Sequence, residues 1–216
     1  MALPPHLAGQ KLPPSPTPHS LELYLDYTCP FSARLFHTFW TQIAPLKTPN
    51  LQVVFRQQIQ PWHPASTLLH EAALAVLRLE PAKFWRFSAV LFDKQKDFFD
   101  EAVAHEGRNA TYSRLADLAR ELGVDGDAVF DLLEIKAGDA QNKGNQVTPD
   151  VKLVTKMNRR VGVHVTPTVV LDGVVQDVSS SWTGEQWKEW LAKNHGLFCL
   201  SHGQRSGACP GTVQRL

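Results

Sequence analysis

A strand, a helix and a second strand follow one another within residues 21–55, and this order constrains the fold more than any other feature. Residues 21–25 alternate leucine with other side chains, which is the periodicity of a strand, and residues 51–55 form a second β-rich run. A helical pattern from Pro30 to about Pro45 separates them. Two strands joined by a helix run parallel, with a right-handed crossover. The sequence therefore predicts an α/β protein.

The remainder of the chain adds helices and one hairpin. Every strong pattern between residues 64 and 145 is helical, and a further helix is expected from Thr148 to about Arg160. Two β-branched runs around Asp172-Gly173 predict a hairpin, and the spacing from Thr183 predicts a capped final helix. The boundaries we expect are a disordered Pro-rich arm at 1–20, a core formed by 21–63 and 146–194, a helical insertion at 64–145, and a flexible tail at 195–216.

Composition excludes several classes of function. The 216 residues carry 22 basic and 21 acidic side chains, so the electrostatic signature of a nucleic-acid-binding protein is missing. Three cysteines in a chain of this length do not form the disulfide framework of a small secreted domain. The first twenty residues contain no apolar run of signal-peptide length. We therefore expect a cytoplasmic protein that binds neither nucleic acid nor membranes and has an uncharged or small partner.

Cys29 stands at the junction between the first strand and its helix. Backbone N–H groups and the helix dipole favour an anion there, so we expect an accessible, readily ionised thiol that acts as a nucleophile. Pro30 and Phe31 follow and are expected to contact a substrate. Ser32 occupies the place of the second cysteine of a C-x-x-C pair. Its hydroxyl either hydrogen-bonds the thiolate or satisfies a backbone donor in the first turn.

Two other segments are expected beside Cys29. Loops that follow parallel strands emerge at the same edge of the sheet, which places Trp62 and His63 near the thiol. We interpret Trp62 as a pocket wall, and His63 either as a loop residue or cap, or as a group that tunes or deprotonates the thiol. If the hairpin strand is antiparallel to the first strand, Thr166 and Pro167 reach the same edge.

With these motifs in place, the chain resembles the DsbA-like branch of the thioredoxin superfamily. The resemblance covers about residues 21–194 and depends on Cys29-Pro30-Phe31-Ser32, on Val165-Thr166-Pro167 before a hairpin, and on the helical block between them. It implies a thioredoxin-like fold with an all-helical insertion. It also implies that Pro167 is a cis-proline and that Thr166 presents its backbone to an extended thiol or peptide substrate.

The sequence departs from the family pattern at two positions. Ser32 replaces the resolving cysteine, which leaves the release of a mixed disulfide to an external thiol such as glutathione. Leu23 stands six residues before the nucleophile, where many relatives carry a buried acid that moves protons. Asp26 lies three residues out of that register. These departures argue against dithiol oxidase activity.

Three functions remain open from sequence. The first is a monothiol thiol-disulfide oxidoreductase with Cys29, Ser32 and His63 as catalytic residues, no bound cofactor, and glutathione as a co-substrate. The second is a glutathione transferase or isomerase that resembles the kappa class. The third is a non-catalytic binding module with a thioredoxin fold.

Other charged, cysteine and histidine residues outside the Cys29 motif are not predicted to form a ligand or metal site. Arg159 and Arg160 are read as dipole partners in the last turn of a helix rather than as a glutathione carboxylate site. Cys199 and Cys209, with His195 and His202, lack metal-ligand spacing, so no metal is expected. A minor alternative is that the tail cysteines resolve a mixed disulfide of Cys29.

Overall fold

A computed structural model of the chain describes residues 4–12, 19–48, 50–136, 138 and 141–195. Its sheet has four strands in the order β2-β1-β3-β4. The strands are β1 (His19–Leu25), β2 (Leu51–Gln57), β3 (Thr168–Leu171) and β4 (Val174–Gln176). β1 pairs parallel with β2 and antiparallel with β3, and β3 pairs antiparallel with β4. The parallel pair and the hairpin are therefore confirmed, and the left-handed backbone of Asp172 and Gly173 suits the Asp-Gly turn.

Eight α-helices complete the described part of the chain. The crossover helix α1 (Pro30–Thr38) continues as a π-helical turn over Phe39–Ile43 and a 3₁₀ turn over Ala44–Leu46. The insertion contains α2 (Ser66–Leu79), α3 (Phe84–Asp93), α4 (Asp100–Val103), α5 (Arg108–Glu121) and α6 (Gly126–Leu133). α7 (Thr148–Arg160) packs against α2 and β2, and α8 (Gly184–His195) packs against the π-helical turn that follows α1. Within the described ranges, none of the helices is both long and apolar enough to cross a membrane.

The core is continuous between the sheet and the insertion. α2 is the central helix of the insertion, because every residue from Leu69 to Leu77 is buried. The sheet contributes Leu23 and Phe55, which are paired across β1 and β2 and fully buried. Gln95, just after α3, donates a 2.9 Å hydrogen bond to the carbonyl of Tyr27. The insertion is thereby tied to the loop that follows β1.

The prediction of a disordered arm over residues 1–20 is wrong for the part that the structure describes. Residues Pro5–Gln10 form a 3₁₀ helix, which begins at a proline because that position needs no N–H donor. Leu7 is buried at 1% exposure. Lys11 forms a bridge with Val54 of β2, so the segment covers the edge of the sheet. Proline content indicated an extended arm, but the burial of one leucine and this edge pairing hold it in place.

The predicted capping box at the start of α8 is confirmed, and it provides a modest stability test. The backbone N–H of Gln186 donates to Thr183 Oγ1 at 3.3 Å, and the backbone N–H of Thr183 donates to Gln186 Oε1 at 2.9 Å. We expect Thr183→Ala to lower the free energy of unfolding by about 1 kcal/mol, measured by urea denaturation. Thr183→Ser keeps the hydroxyl and is expected to retain nearly all of the stability. Equal losses in the two variants would contradict a capping role.

Candidate active site

Cys29 is the N-cap residue of α1. Its backbone is extended, with φ −81° and ψ 118°, and Pro30 takes the first helical position. The carbonyl of Cys29 accepts the N–H of Ala33 at 3.1 Å, which closes the first turn. The sulfur therefore lies where the helix dipole favours negative charge. Cys29 is 4% exposed, so it is more enclosed than the accessible thiol that the sequence predicted.

The peptide bond between Thr166 and Pro167 is cis, as the resemblance implied. Because β3 runs antiparallel to β1, this bond comes to the same edge of the sheet as Cys29. Cys29 Sγ lies 3.5 Å from the carbonyl oxygen of Thr166, to which the thiol donates. The structure thus brings together the two motifs that lie 137 residues apart in sequence.

Ser32 is fully buried in the first turn of α1. Its Oγ accepts the backbone N–H of Asp26 at 3.3 Å, which matches the second of the two roles considered for it. Phe31, by contrast, is 55% exposed, and the guanidinium of Arg34 lies 5.7 Å from its ring centre. Pro30 is exposed as well. Phe31 and Pro30 therefore form the outer surface of the site, while Ser32 supports it from inside.

Asp26 is the buried acid of this site, and the sequence analysis did not assign it a role. Its side chain is fully buried. It accepts five hydrogen bonds, from Thr28 N and Thr28 Oγ1 at 3.0 Å each, Gln60 N at 3.1 Å, Ser66 Oγ at 2.8 Å and His63 Nδ1 at 2.9 Å. Burial alone raises the pKa of Asp26, but the nearby His70 and the hydrogen bonds from His63 and Thr28 outweigh it and hold this pKa well below its usual range.

His63 is oriented by this carboxylate. An ionised carboxylate only accepts hydrogen bonds, so Nδ1 of His63 carries a proton and donates it to Asp26, and Nε2 is the ring nitrogen that this contact leaves free. The side chain is 24% exposed. It lines a cavity of about 280 Å³ together with Thr28 and Pro30, the neighbours of Cys29, and with residues 98–101 of the insertion. The structure therefore places the imidazole of His63 in the wall of a cavity that the two sequence neighbours of Cys29 also line.

A second histidine lies on the other side of Asp26. His70 is fully buried, and its Nε2 is 3.7 Å from Asp26 Oδ1. Gln57 Nε2 donates to His70 Nδ1 at 3.2 Å, and Gln57 Oε1 accepts from Gln10 Nε2 at 2.9 Å. This polar chain runs from the N-terminal 3₁₀ helix to the site. The signal available in sequence was a carboxylate directly after a buried strand, followed by one histidine in the loop after the next strand and a second in the helix beyond it.

Trp62 lines a different cavity from His63. It is 60% exposed and borders a cavity of about 260 Å³ that also contacts Arg159 and His164. Gln60 lies between the His63 cavity and the Trp62 cavity. Its backbone N–H donates to Asp26, and its Nε2 donates to Thr166 Oγ1 and to the carbonyl of His164 at 3.2 Å each. Trp62 is thus a cavity wall, but on the α7 side of the cis-proline.

The predictions for the C-terminal tail concern residues that the structure does not describe. These are the proposed roles of Cys199, Cys209 and His202 and the flexibility of residues 196–216; the side chain of His195 is also not described.

Comparison with known proteins identifies the family. The thioredoxin family model matches residues 14–193. No curated protein sequence matches the chain. Among solved structures, a candidate protein-disulfide isomerase from Pseudomonas syringae is 25% identical, with a TM-score of 0.69 over 86% of this chain and 99% of that chain.

Two further solved structures share the fold. BdbD from Bacillus subtilis is 20% identical, with a TM-score of 0.60 over 87% of this chain and 93% of that one. The disulfide bond oxidoreductase DsbG from Mycobacterium tuberculosis is 21% identical, with a TM-score of 0.59 over 87% and 86% of the two chains. With its helical insertion, its N-cap cysteine and a cis-proline beside that cysteine, the chain belongs to the thioredoxin family.

Proposed function

We propose that the protein is a monothiol thiol-disulfide oxidoreductase of DsbA-like type, with Cys29 as the nucleophile and an external thiol such as glutathione as co-substrate. The observation that carries the proposal is the position of Cys29 Sγ, at the N-terminus of α1 and 3.5 Å from the carbonyl of Thr166. The descriptions of the P. syringae and M. tuberculosis proteins as disulfide isomerase and oxidoreductase support it. The reaction belongs in a thiol-rich compartment such as the cytoplasm.

The first step is the attack of the Cys29 thiolate on a substrate disulfide. A bond forms between Cys29 Sγ and one substrate sulfur, the substrate S–S bond breaks, and the other sulfur leaves as a thiolate that takes up a proton. The carbonyl of Thr166 is placed to align an extended substrate beside the thiol. Phe31 and Val165 are 55% and 54% exposed, so they offer apolar surface to the chain that flanks the disulfide.

The second step releases the product by attack of an external thiol. Ser32 provides no second thiol, so a thiolate from solution attacks the mixed disulfide and regenerates the Cys29 thiolate. We assign proton movement in both steps to His63, because Asp26 accepts its Nδ1–H and its imidazole lines the cavity beside Thr28 and Pro30. The two steps sum to thiol-disulfide exchange and need no further oxidant.

Incubation with oxidised glutathione followed by intact mass measurement tests this function. A background variant with Cys199→Ser and Cys209→Ser leaves Cys29 as the only thiol. We expect one glutathione adduct, mapped to Cys29 by peptide analysis and removed by excess reduced thiol, and no adduct when Cys29→Ser is added. An unmodified Cys29 after prolonged incubation would contradict the proposal.

Two alternative functions give different outcomes in companion assays. Glutathione conjugation of chlorodinitrobenzene that persists in Cys29→Ser would indicate a kappa-like transferase, in which the protein stabilises the thiolate of glutathione instead of its own. Saturable peptide binding without turnover and without dependence on Cys29 would indicate a binding module. Either result in the absence of a Cys29 adduct replaces the oxidoreductase proposal.

A further inference from the structure

α7 carries four exposed cations near the active site. They are Lys152, Lys156, Arg159 and Arg160. Within the described part of the chain, none of the four forms an ion pair with a carboxylate. The two arginines have the ordinary position of dipole partners in a last helical turn, but this role alone does not require two further lysines along the helix. Four uncompensated cations on a single helix attract anions.

These cations border a continuous groove. One cavity of about 420 Å³ is lined by Lys152, Lys156, Arg159 and Arg160, together with Thr155. The neighbouring cavity of about 260 Å³ is lined by Trp62, Gln58, Gln60 and His164, and it shares Thr155 and Arg159 with the first. We call the two cavities together the basic groove.

The basic groove begins one side chain away from the reactive sulfur. Gln60 forms part of its wall and donates a hydrogen bond to Thr166 Oγ1 at 3.2 Å. The carbonyl of the same threonine accepts from Cys29 Sγ at 3.5 Å. A small molecule whose sulfur reacts at Cys29 therefore has this groove directly beside it.

The wall of the groove also offers groups suited to a polar ligand. Gln58 is 8% exposed, and its buried Oε1 has no hydrogen-bond partner in the described structure, so the wall of the groove contains an unsatisfied acceptor. Trp62 is 60% exposed and presents its ring to the groove. His164 Nδ1 donates to the carbonyl of Gly162 at 3.0 Å, which leaves its Nε2 available to a ligand.

Charge differs sharply on the two sides of Cys29. The cavity beside His63 is lined by the carboxylates of Asp100 and Glu101. The basic groove lies on the other side of Gln60 and carries Arg159. A disulfide with a negative group thus finds more favourable charge toward α7 than toward the cavity beside His63, which favours binding with that group in the basic groove.

We infer that the basic groove binds the carboxylate of the thiol or disulfide that reacts at Cys29, with Arg159 as the main contact. This inference rests on the proposed function and names its substrate class as carboxylate-bearing disulfides. The carboxylate belongs either to a small thiol such as glutathione or to an acidic peptide segment next to a cystine. Both sources present the same chemistry to Arg159.

The test is a charge series of small disulfides that react with the Cys29 thiol. Dithiodipropionate is anionic, bis(2-hydroxyethyl) disulfide is neutral and cystamine is cationic. In the background variant without tail cysteines, we expect the second-order rate to be highest for the anionic reagent and to fall with added salt. Arg159→Gln should lower the anionic rate about 3- to 10-fold and leave the neutral rate unchanged, as expected for one partly exposed charge contact.

Arg86→Gln is the matched control, because Arg86 is exposed on α3 and lines none of the cavities described. It removes the same net charge and should leave all three rates unchanged. Equal effects of the two substitutions, or no preference for the anionic reagent, would overturn the inference while leaving the proposed function intact. Failure of all three reagents to modify Cys29 would overturn the proposed function itself.

A second comparison distinguishes the two sources of the carboxylate. Oxidised glutathione and an acidic cystine peptide are each measured against their carboxyl-amidated forms. If amidation abolishes the effect of Arg159→Gln on the reaction rate of glutathione but not of the peptide, the groove binds the small thiol. If amidation abolishes that effect for the peptide but not for glutathione, the groove binds a polypeptide substrate. No effect of amidation on either reagent contradicts carboxylate binding.

Discussion

Replacing Asp26 with asparagine is expected to lower the free energy of unfolding at pH 7 by about 3–5 kcal/mol. The carboxylate is fully buried and accepts five hydrogen bonds, so an amide group turns an NH₂ toward donors that have no other acceptor. Urea denaturation of the wild type and Asp26→Asn at constant ionic strength measures the loss.

The stability that the Asp26 carboxylate contributes is also expected to depend on pH, in a direction set by its pKa. The pKa of Asp26 is lower in the folded protein than in the unfolded chain, so the unfolded state binds more protons in acid. The stabilisation is fully present above the unfolded pKa of about 4 and is lost as pH falls toward the folded value. The difference between wild type and Asp26→Asn should therefore be constant from pH 7 to about pH 5 and shrink below about pH 4.

His63→Gln is the matched control for the stability effect. It removes one of the five hydrogen-bond donors to Asp26 and should lower the free energy of unfolding by about 1 kcal/mol. It also abolishes proton transfer through Nε2 of the imidazole. Both variants should lose turnover with disulfides, but only Asp26→Asn should lose most of its stability. An unchanged unfolding midpoint in Asp26→Asn would show that the carboxylate is not the acceptor that holds this loop.

The contrast between Cys29 and Asp26 shows what sequence reasoning can reach here. The meeting of Cys29 with Thr166 and Pro167 follows from topology, because a parallel pair and an antiparallel hairpin bring their ends to one edge. The role of Asp26 does not follow, because three of its five donors come from Gln60, His63 and Ser66, between 34 and 40 residues further along. No local periodicity encodes that convergence.

The N-terminal segment was mispredicted for a related reason. Its prolines indicated an extended arm because they remove N–H donors. In the structure, a proline starts the 3₁₀ helix instead, and Leu7 is buried against the core. One apolar side chain has no periodicity, so only the tertiary contact reveals its burial.

Ser32→Cys is expected to convert the site from an external to an internal release mechanism. Position 32 lies in the first turn of α1, three residues after Cys29, which is the spacing of a C-x-x-C pair. In the mixed disulfide with glutathione, the introduced thiolate attacks Cys29 Sγ, the sulfur–sulfur bond to glutathione breaks, and glutathione leaves as a thiolate that takes up a proton. An intramolecular thiol three residues from Cys29 in the same helical turn has a high effective concentration. The lifetime of the mixed disulfide should therefore fall at least about 100-fold.

The decisive measurement is a time course of intact mass after addition of oxidised glutathione, in the background without tail cysteines. Ser32→Cys should lose the adduct and gain an internal disulfide, whereas the wild-type adduct should persist until reduced thiol is added. Ser32→Ala loses the same 3.3 Å hydrogen bond from Asp26 N–H without supplying a thiol, so its adduct should persist as well. Equal adduct lifetimes in all three proteins would show that the side chain at position 32 does not reach the sulfur of Cys29. In that case, this site would differ from a dithiol site in the geometry of position 32 as well as in the absence of a second thiol.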